Sequence, residues 1–241
     1  IAKFFPDAPE DKQQITISHV LRHRAGFPDT FGSDYQLIDR ESLRRTLFET
    51  PLLAPVGQES RYSNSGYSLL AMIIEDVGGS PYEEWVHEEI IRPAGVEDFG
   101  YGIPYWPRDT LAVGIRRNGE RFGTPLEHAW YGDGPGWNLR GNGGMLSNAR
   151  GIHDLFLAME QEDEVLGREA RLAWRPAVQP GNASEYAALG GNGIFNAVYF
   201  RSVTVSKEGE RREITWVGLS NIGDQVIEDS LEYVAETLGL R

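Results

Sequence analysis

The chain has 241 residues, of which 40% are apolar, 24% charged and 11% aromatic. That length and mixture support one large domain or two closely joined lobes around a real core, and exclude collagen-like, low-complexity and disordered classes. Acidic residues outnumber basic ones by 36 to 23, for a net charge of −13. This argues against a nucleic-acid partner, because phosphate backbones reward clustered Lys and Arg. No apolar run reaches the roughly 18–20 residues of a membrane-spanning helix. Cysteine does not occur, so disulfides, thiolate catalysis and Cys-ligated zinc are excluded within these residues, while either redox compartment stays open. The chain begins on Ile1, not Met, with no signal-peptide pattern before Phe4-Phe5-Pro6, and is read as continuing from something upstream.

In chain order, Thr16 is expected to cap a short helix through Ile17, Val20 and Leu21, ended by the turn Ala25-Gly26-Phe27-Pro28. Asp39 opens a second helix carrying Leu43, Leu47 and Phe48, which Pro51 stops. A polar loop from Pro55-Val56-Gly57 leads to Tyr62-Ser63-Asn64. Behind it Leu69, Leu70, Ile73, Ile74 and Val77 recur at helical spacing up to Gly78-Gly79. Ser80-Pro81-Tyr82-Glu83 reads as a capping box with proline at the first helical position. Residues 95–145, rich in Gly, Pro, Trp and Tyr, read as loops and short strands, since linkers rarely carry so many aromatics. Ser147 or Asn148 caps a further helix through Ile152, Leu155, Phe156 and Met159, and 160–188 fits no single pattern. Ala197–Val205 and Ile214–Leu219 form a β-hairpin around Lys207-Glu208-Gly209-Glu210. An amphipathic helix through Val226, Ile227, Leu231, Val234 and Leu238 closes the chain.

The residues with chemical content are few. There is no Gly-x-Ser-x-Gly elbow, P-loop or dinucleotide-binding glycine pattern. His19 and His23 stand four apart, as metal ligands can, but two histidines without a third ligand are more often structural. Asn182-Ala183-Ser184 matches a glycosylation sequon, a short pattern of little weight. Tyr62-x-Asn64 puts a phenol at the positive end of the following helix, where it can relay protons for a serine nucleophile, with the asparagine amide as an orienting group. Taken alone, Tyr-x-Asn recurs by chance, and a packed tyrosine beside a capping asparagine explains it as well.

Three segments in the right order change that weighting. Pro55-Val56-Gly57 with Tyr62-Ser63-Asn64-Ser65-Gly66-Tyr67-Ser68-Leu69-Leu70, the stretch Ile15–Pro28, and Gly143-Gly144-Met145-Leu146-Ser147-Asn148-Ala149 are together similar to the serine β-lactamase-fold hydrolases. That family holds the class C β-lactamases, D-alanyl-D-alanine carboxypeptidases and related esterases. The resemblance implies an α+β fold of β-lactamase/transpeptidase type, an antiparallel sheet beside a helical lobe. It implies a single domain over 1–241, incomplete at its N-terminus, with the helical lobe over about 15–160 and the sheet and terminal helix over about 186–241.

The resemblance also implies acyl transfer to a serine followed by hydrolysis of an ester, β-lactam or D-amino-acid peptide, without metal or organic cofactor. Tyr62 would be general base and acid and Asn64 an orienting group. Two departures stand out. The family's nucleophile lies in Ser-x-x-Lys, yet the lysines here are Lys3, Lys12 and Lys207, with Pro9 and Thr204 three residues before the last two. The nucleophile is therefore expected outside these residues, and this chain alone is expected to be inactive. The family's third motif, Lys-Thr-Gly or His-x-Gly, is best matched by Leu189-Gly190-Gly191-Asn192-Gly193, which puts Leu189 at the basic position. Gly190, Gly191 and Asn192 would supply backbone donors for an oxyanion, unless those glycines merely pack a strand closely. Leu189 disfavours carboxylate-bearing substrates and tilts the reading towards esters. A catalytically silent binding or scaffold protein is the alternative. An N-terminal segment or a partner chain is expected to complete the sheet along the hairpin.

Overall fold

A computed structural model describes residues 1–128, 130–161, 163–174, 179–222 and 236. The chain divides into two compact units. One comprises Ile1–His87, Tyr101–Ile103 and Leu126–Met145, the other Glu88–Gly100, Pro104–Pro125 and Leu146–Arg241.

The first unit is built on helices α1 (Ile17–Leu21), α2 (Arg40–Glu49), α3 (Asn64–Gly78) and α4 (Tyr82–Val86). Their starts follow the expected caps. Thr16 accepts the His19 N–H while His19 Nδ1 accepts the Thr16 N–H, and Asp39 accepts the Ser42 N–H at 2.8 Å. The apolar stripe of α3 sets Leu69 and Met72 against Leu43 and Leu47 of α2 and against Ile15, Val20 and Phe27, all fully buried. Phe5 meets Phe48 edge to face at 5.6 Å. The turn after α1 requires glycine at position 26: φ is +81°, and a Cβ there would lie 2.2 Å from the Ala54 carbonyl oxygen.

The expected capping box at Ser80…Glu83 does not form. Helix α4 begins after Pro81 with no side-chain cap, and the Tyr82 N–H donates instead to Glu75 Oε1 at 3.0 Å. Glu83 is buried and turned to another task. Its Oε1 accepts the N–H groups of Tyr101, Gly102 and Ile103 at 2.8, 2.6 and 2.8 Å. Three donors in a buried loop need an acceptor, and that demand outweighs a reciprocal bond at a five-residue helix.

The second unit carries α5 (Ala149–Gln161), α6 (Asp163–Leu166), α7 (Arg168–Trp174) and an antiparallel sheet of three strands. These are β1 (Ala183–Gly191), β2 (Asn196–Val205) and β3 (Arg211–Ser220), in the order β1-β2-β3. Asn148 caps α5 by accepting the Gly151 N–H at 2.9 Å, whereas the Ser147 hydroxyl donates to the Asp98 carbonyl. Phe156 of α5 stacks on Tyr199 of the central strand at 4.2 Å, beside Tyr186 and Trp174. Next to these rings the buried Arg201 donates to Glu160 at 2.5 Å, Thr215 at 2.8 Å and Glu213 at 2.8 Å. Paired and hydrogen-bonded, that cation is tolerated in the interior. Helices beside an antiparallel sheet make this an α+β fold.

The closing helix expected through Val226 and Leu238 lies outside the described residues except for Glu236. Among the described residues no helix is long and apolar enough to cross a membrane.

Candidate active site

Tyr62 lies just before α3, 63% exposed, with its hydroxyl donating to Asn64 Oδ1 at 3.1 Å. The local fold that puts it there is anchored from the turn after α1. The Ser63 hydroxyl donates to the Pro28 carbonyl at 2.7 Å and accepts the Gly66 N–H at 3.0 Å, capping α3. The Ser65 N–H and hydroxyl both donate to the Asp29 carbonyl, at 2.8 and 3.1 Å. The Asp29 carboxylate accepts twice from Asn64, from its backbone N–H at 3.3 Å and its side-chain amide at 3.0 Å. Asn64 is thus the first residue of α3, and Tyr62 is held at the positive end of that helix.

His23 supports the phenol from behind. It takes the left-handed region at φ +54°, packs its ring tilted at 4.6 Å from Tyr62 and stacks it at 5.1 Å on Tyr67. Its Nδ1 accepts the Ser63 N–H at 3.1 Å, which assigns the proton of a neutral ring to Nε2. Burial holds the imidazole below the ordinary histidine pKa, against the opposing pull of Asp29. Tyr67 differs from Tyr62. Burial and the neighbouring Tyr62 push its phenol up, and its hydroxyl donates to the Leu21 carbonyl at 3.0 Å. Tyr67 is a packing residue, and Tyr62 is the tyrosine presented to solvent. His19 bonds within the cap of its own helix and His23 bonds to Ser63 forty residues on, so each ring has a structural partner.

Leu189, Gly190 and Gly191 close strand β1 in the second unit, and Asn192 begins the turn to β2. Hydrogen bonds at the two ends of the ladder fix its phase. Val205 N–H donates to the Asn182 carbonyl, and Asn192 N–H to the Phe195 carbonyl. With Gly190 opposite Ala197, Gly190 and Asn192 therefore direct their N–H groups towards β2. Leu189 and Gly191 direct theirs to the outer edge, where no strand pairs among the described residues. Outward donors along this strand are thus Leu189 and Gly191: of the expected Gly190, Gly191 and Asn192, Gly191 faces the edge, while Gly190 and Asn192 face β2. The Leu189 side chain is 54% exposed. Asn192 Oδ1 accepts the N–H groups of Ile194 and Phe195 at 3.2 and 2.9 Å, stabilising the turn.

Asp29 is the residue that sequence reasoning missed. Its signal was its place after Pro28 in the turn leading away from α1, where a carboxylate can reach the start of a later helix.

An antiparallel sheet, a helical companion and a Tyr-x-Asn at a helix start define a protein of the serine β-lactamase fold. The Beta-lactamase family matches residues 1–217, and the chain belongs to it. It is 27% identical over 125 residues to a putative penicillin-binding protein PbpX of Bacillus subtilis, covering 52% of this chain and 31% of that protein. It is 34% identical over 111 residues to a putative D-alanyl-D-alanine carboxypeptidase of Escherichia coli, covering 40% and 25%. The chain thus matches about a third or less of each of these relatives. Among solved structures it is similar to a penicillin-binding protein from Bacillus halodurans, with a TM-score of 0.66 at 22% identity over 95% of this chain and 74% of that one. A D-amino acid amidase from Ochrobactrum anthropi gives 0.64 at 19% identity over 92% and 68%.

Proposed function

We propose that these residues carry the acid–base half of a serine hydrolase, whose nucleophile belongs to a Ser-x-x-Lys outside positions 1–241. The serine hydroxyl attacks the substrate carbonyl as Tyr62, entering the step as its phenolate, takes the serine proton, and the phenol so formed returns that proton to the departing alcohol or amine. Water, deprotonated the same way, then releases the acyl group. Asn64 orients the phenol, and the outward N–H groups of Leu189 and Gly191 are candidate donors to the carbonyl oxygen. No metal or organic cofactor is called for. A strand from the same gene product, or a second polypeptide, along the outer edge of β3 is part of this reading.

The observation that carries it is a solvent-exposed Tyr62 hydroxyl bonded to Asn64 at a capped helix start. Relatives named as a carboxypeptidase and an amidase favour acyl transfer. Leu189, which has neither charge nor hydrogen-bonding side chain, favours uncharged ester-like substrates over a β-lactam or peptide bearing a carboxylate. The same leucine supports a second reading, a catalytically silent binding protein.

Labelling with a serine-directed fluorophosphonate separates the two. The gene product that contains these residues is expected to label on an upstream Ser-x-x-Lys serine and to hydrolyse a chromogenic short-chain ester. The 241-residue chain alone is expected to do neither, because losing a nucleophile lowers turnover by several orders of magnitude. A labelled serine within 1–241, or a gene product that neither labels nor turns over, overturns the proposal, and the second result favours the silent reading.

A further inference from the structure

An exposed side chain is only as well placed as the backbone that carries it. Tyr62 is 63% exposed, so the position of its hydroxyl depends on how firmly residues 61–63 are held. Both flanks of that backbone are bonded to one residue. The Arg61 N–H donates to the His23 carbonyl at 2.7 Å, and the Ser63 N–H donates to His23 Nδ1 at 3.1 Å. The same imidazole packs on the Tyr62 ring at 4.6 Å and is backed by Tyr67 at 5.1 Å. His23 is itself anchored on α1, since its N–H donates to the Val20 carbonyl at 3.0 Å and the Arg24 N–H to the His19 carbonyl at 2.7 Å. Its φ of +54° belongs to a region that Gly, Asn, Asp and His enter more readily than other residues.

We infer that His23 is a positioning residue for Tyr62, fixing the main chain on both sides of the phenol, and that it does so as a neutral imidazole. This rests on the acid–base role proposed above for Tyr62. The grip acts on backbone and ring, so it holds the phenolic oxygen in place whether that oxygen carries its proton or has lost it. An imidazolium carries a proton on both nitrogens. It would set Nδ1–H against the Ser63 N–H and release one flank. Burial favours the neutral ring and Asp29 opposes it. Of the other groups around it, Tyr62 and Tyr67 pack on the ring, while Arg24 and Arg61 direct their guanidinium groups to the Gln58 carbonyl and the Glu59 carboxylate.

Two variants that tolerate the left-handed backbone separate the acceptor from the ring. Asparagine carries Oδ1 on Cγ, as histidine carries Nδ1, whereas glycine has no acceptor. In the natural gene product His23→Gly is expected to lower kcat about tenfold with KM unchanged, the rate equivalent of one net hydrogen bond. His23→Asn, which also lacks the ring, should recover most of that loss. In an active parent, an unchanged kcat in His23→Gly, or no recovery in His23→Asn, overturns the inference. A second readout needs no turnover: the NMR shift of the Ser63 backbone amide during an acid titration. It should move together with the His23 ring in the parent and stay fixed in His23→Asn. An amide that does not follow the ring overturns the inference. An inactive gene product whose Ser63 amide does follow it overturns the catalytic reading and leaves the grip standing.

Discussion

Glu83 illustrates how a single residue can be legible in type and not in role. Its sequence context, Ser80-Pro81-Tyr82-Glu83, satisfies the pattern of a local cap, yet its carboxylate binds three N–H groups at positions 101–103. Nothing within a few residues of Glu83 announces a partner nearly twenty positions away. Burial pushes its carboxyl above the ordinary carboxylate range, opposed by those three donors and by Arg140. A carboxyl raised in the folded state contributes most below its unfolded pKa, and that contribution is lost as pH rises through the folded value. Glu83→Gln keeps an oxygen acceptor without the charge, so its stability relative to the parent should improve as pH rises from the ordinary carboxylate range through the raised value of the folded state. Glu83→Ala leaves buried donors unpaired and should cost about 3 kcal/mol or more in urea denaturation. A loss below about 1 kcal/mol in the alanine variant contradicts the clamp.

At the scale of elements, helices α1, α2, α3 and α5 were readable because cap and apolar period agree in each. Thr16, Asp39 and Gly79 mark ends where the sequence puts them, and Asn148 settles the alternative between itself and Ser147. Strand β1 was harder. Its stretch Ala187-Ala188-Leu189-Gly190-Gly191 has little β propensity. It is a strand because β2, rich in Val, Tyr and Phe, pairs with it residue by residue. The phase of that pairing, which decides whether Gly190 or Gly191 faces the edge, follows from bonds at Asn182 and Asn192 that no periodicity reveals. The start of α3 is the element on which the candidate site depends. Ser63→Ala removes both its cap and its bond to Pro28, and should lower stability by about 1–2 kcal/mol. Chemical denaturation measures this directly, and an unchanged midpoint would mean that the cap does not hold the site.

At the scale of the whole molecule, the acidic composition argues against a nucleic-acid partner, and three ordered segments pointed to a family that the match over residues 1–217 bears out. The pair Tyr62 and Asn64 was legible as a candidate because the two residues meet within one turn of chain. Asp29 and His23 were not, since they act on that pair through a fold that joins positions about forty residues apart. The proposed acid–base role requires that the exposed Tyr62 hydroxyl, and not the ring that carries it, does the chemistry. Tyr62→Phe in the active gene product tests this, because it deletes one oxygen and keeps the ring contact with His23. In this variant kcat is expected to fall by roughly 100-fold or more, the scale of general acid–base catalysis. Folding stability should stay within about 0.5 kcal/mol of the parent, as for a surface change. An unchanged kcat, or a loss of activity that merely tracks a loss of stability, would contradict it.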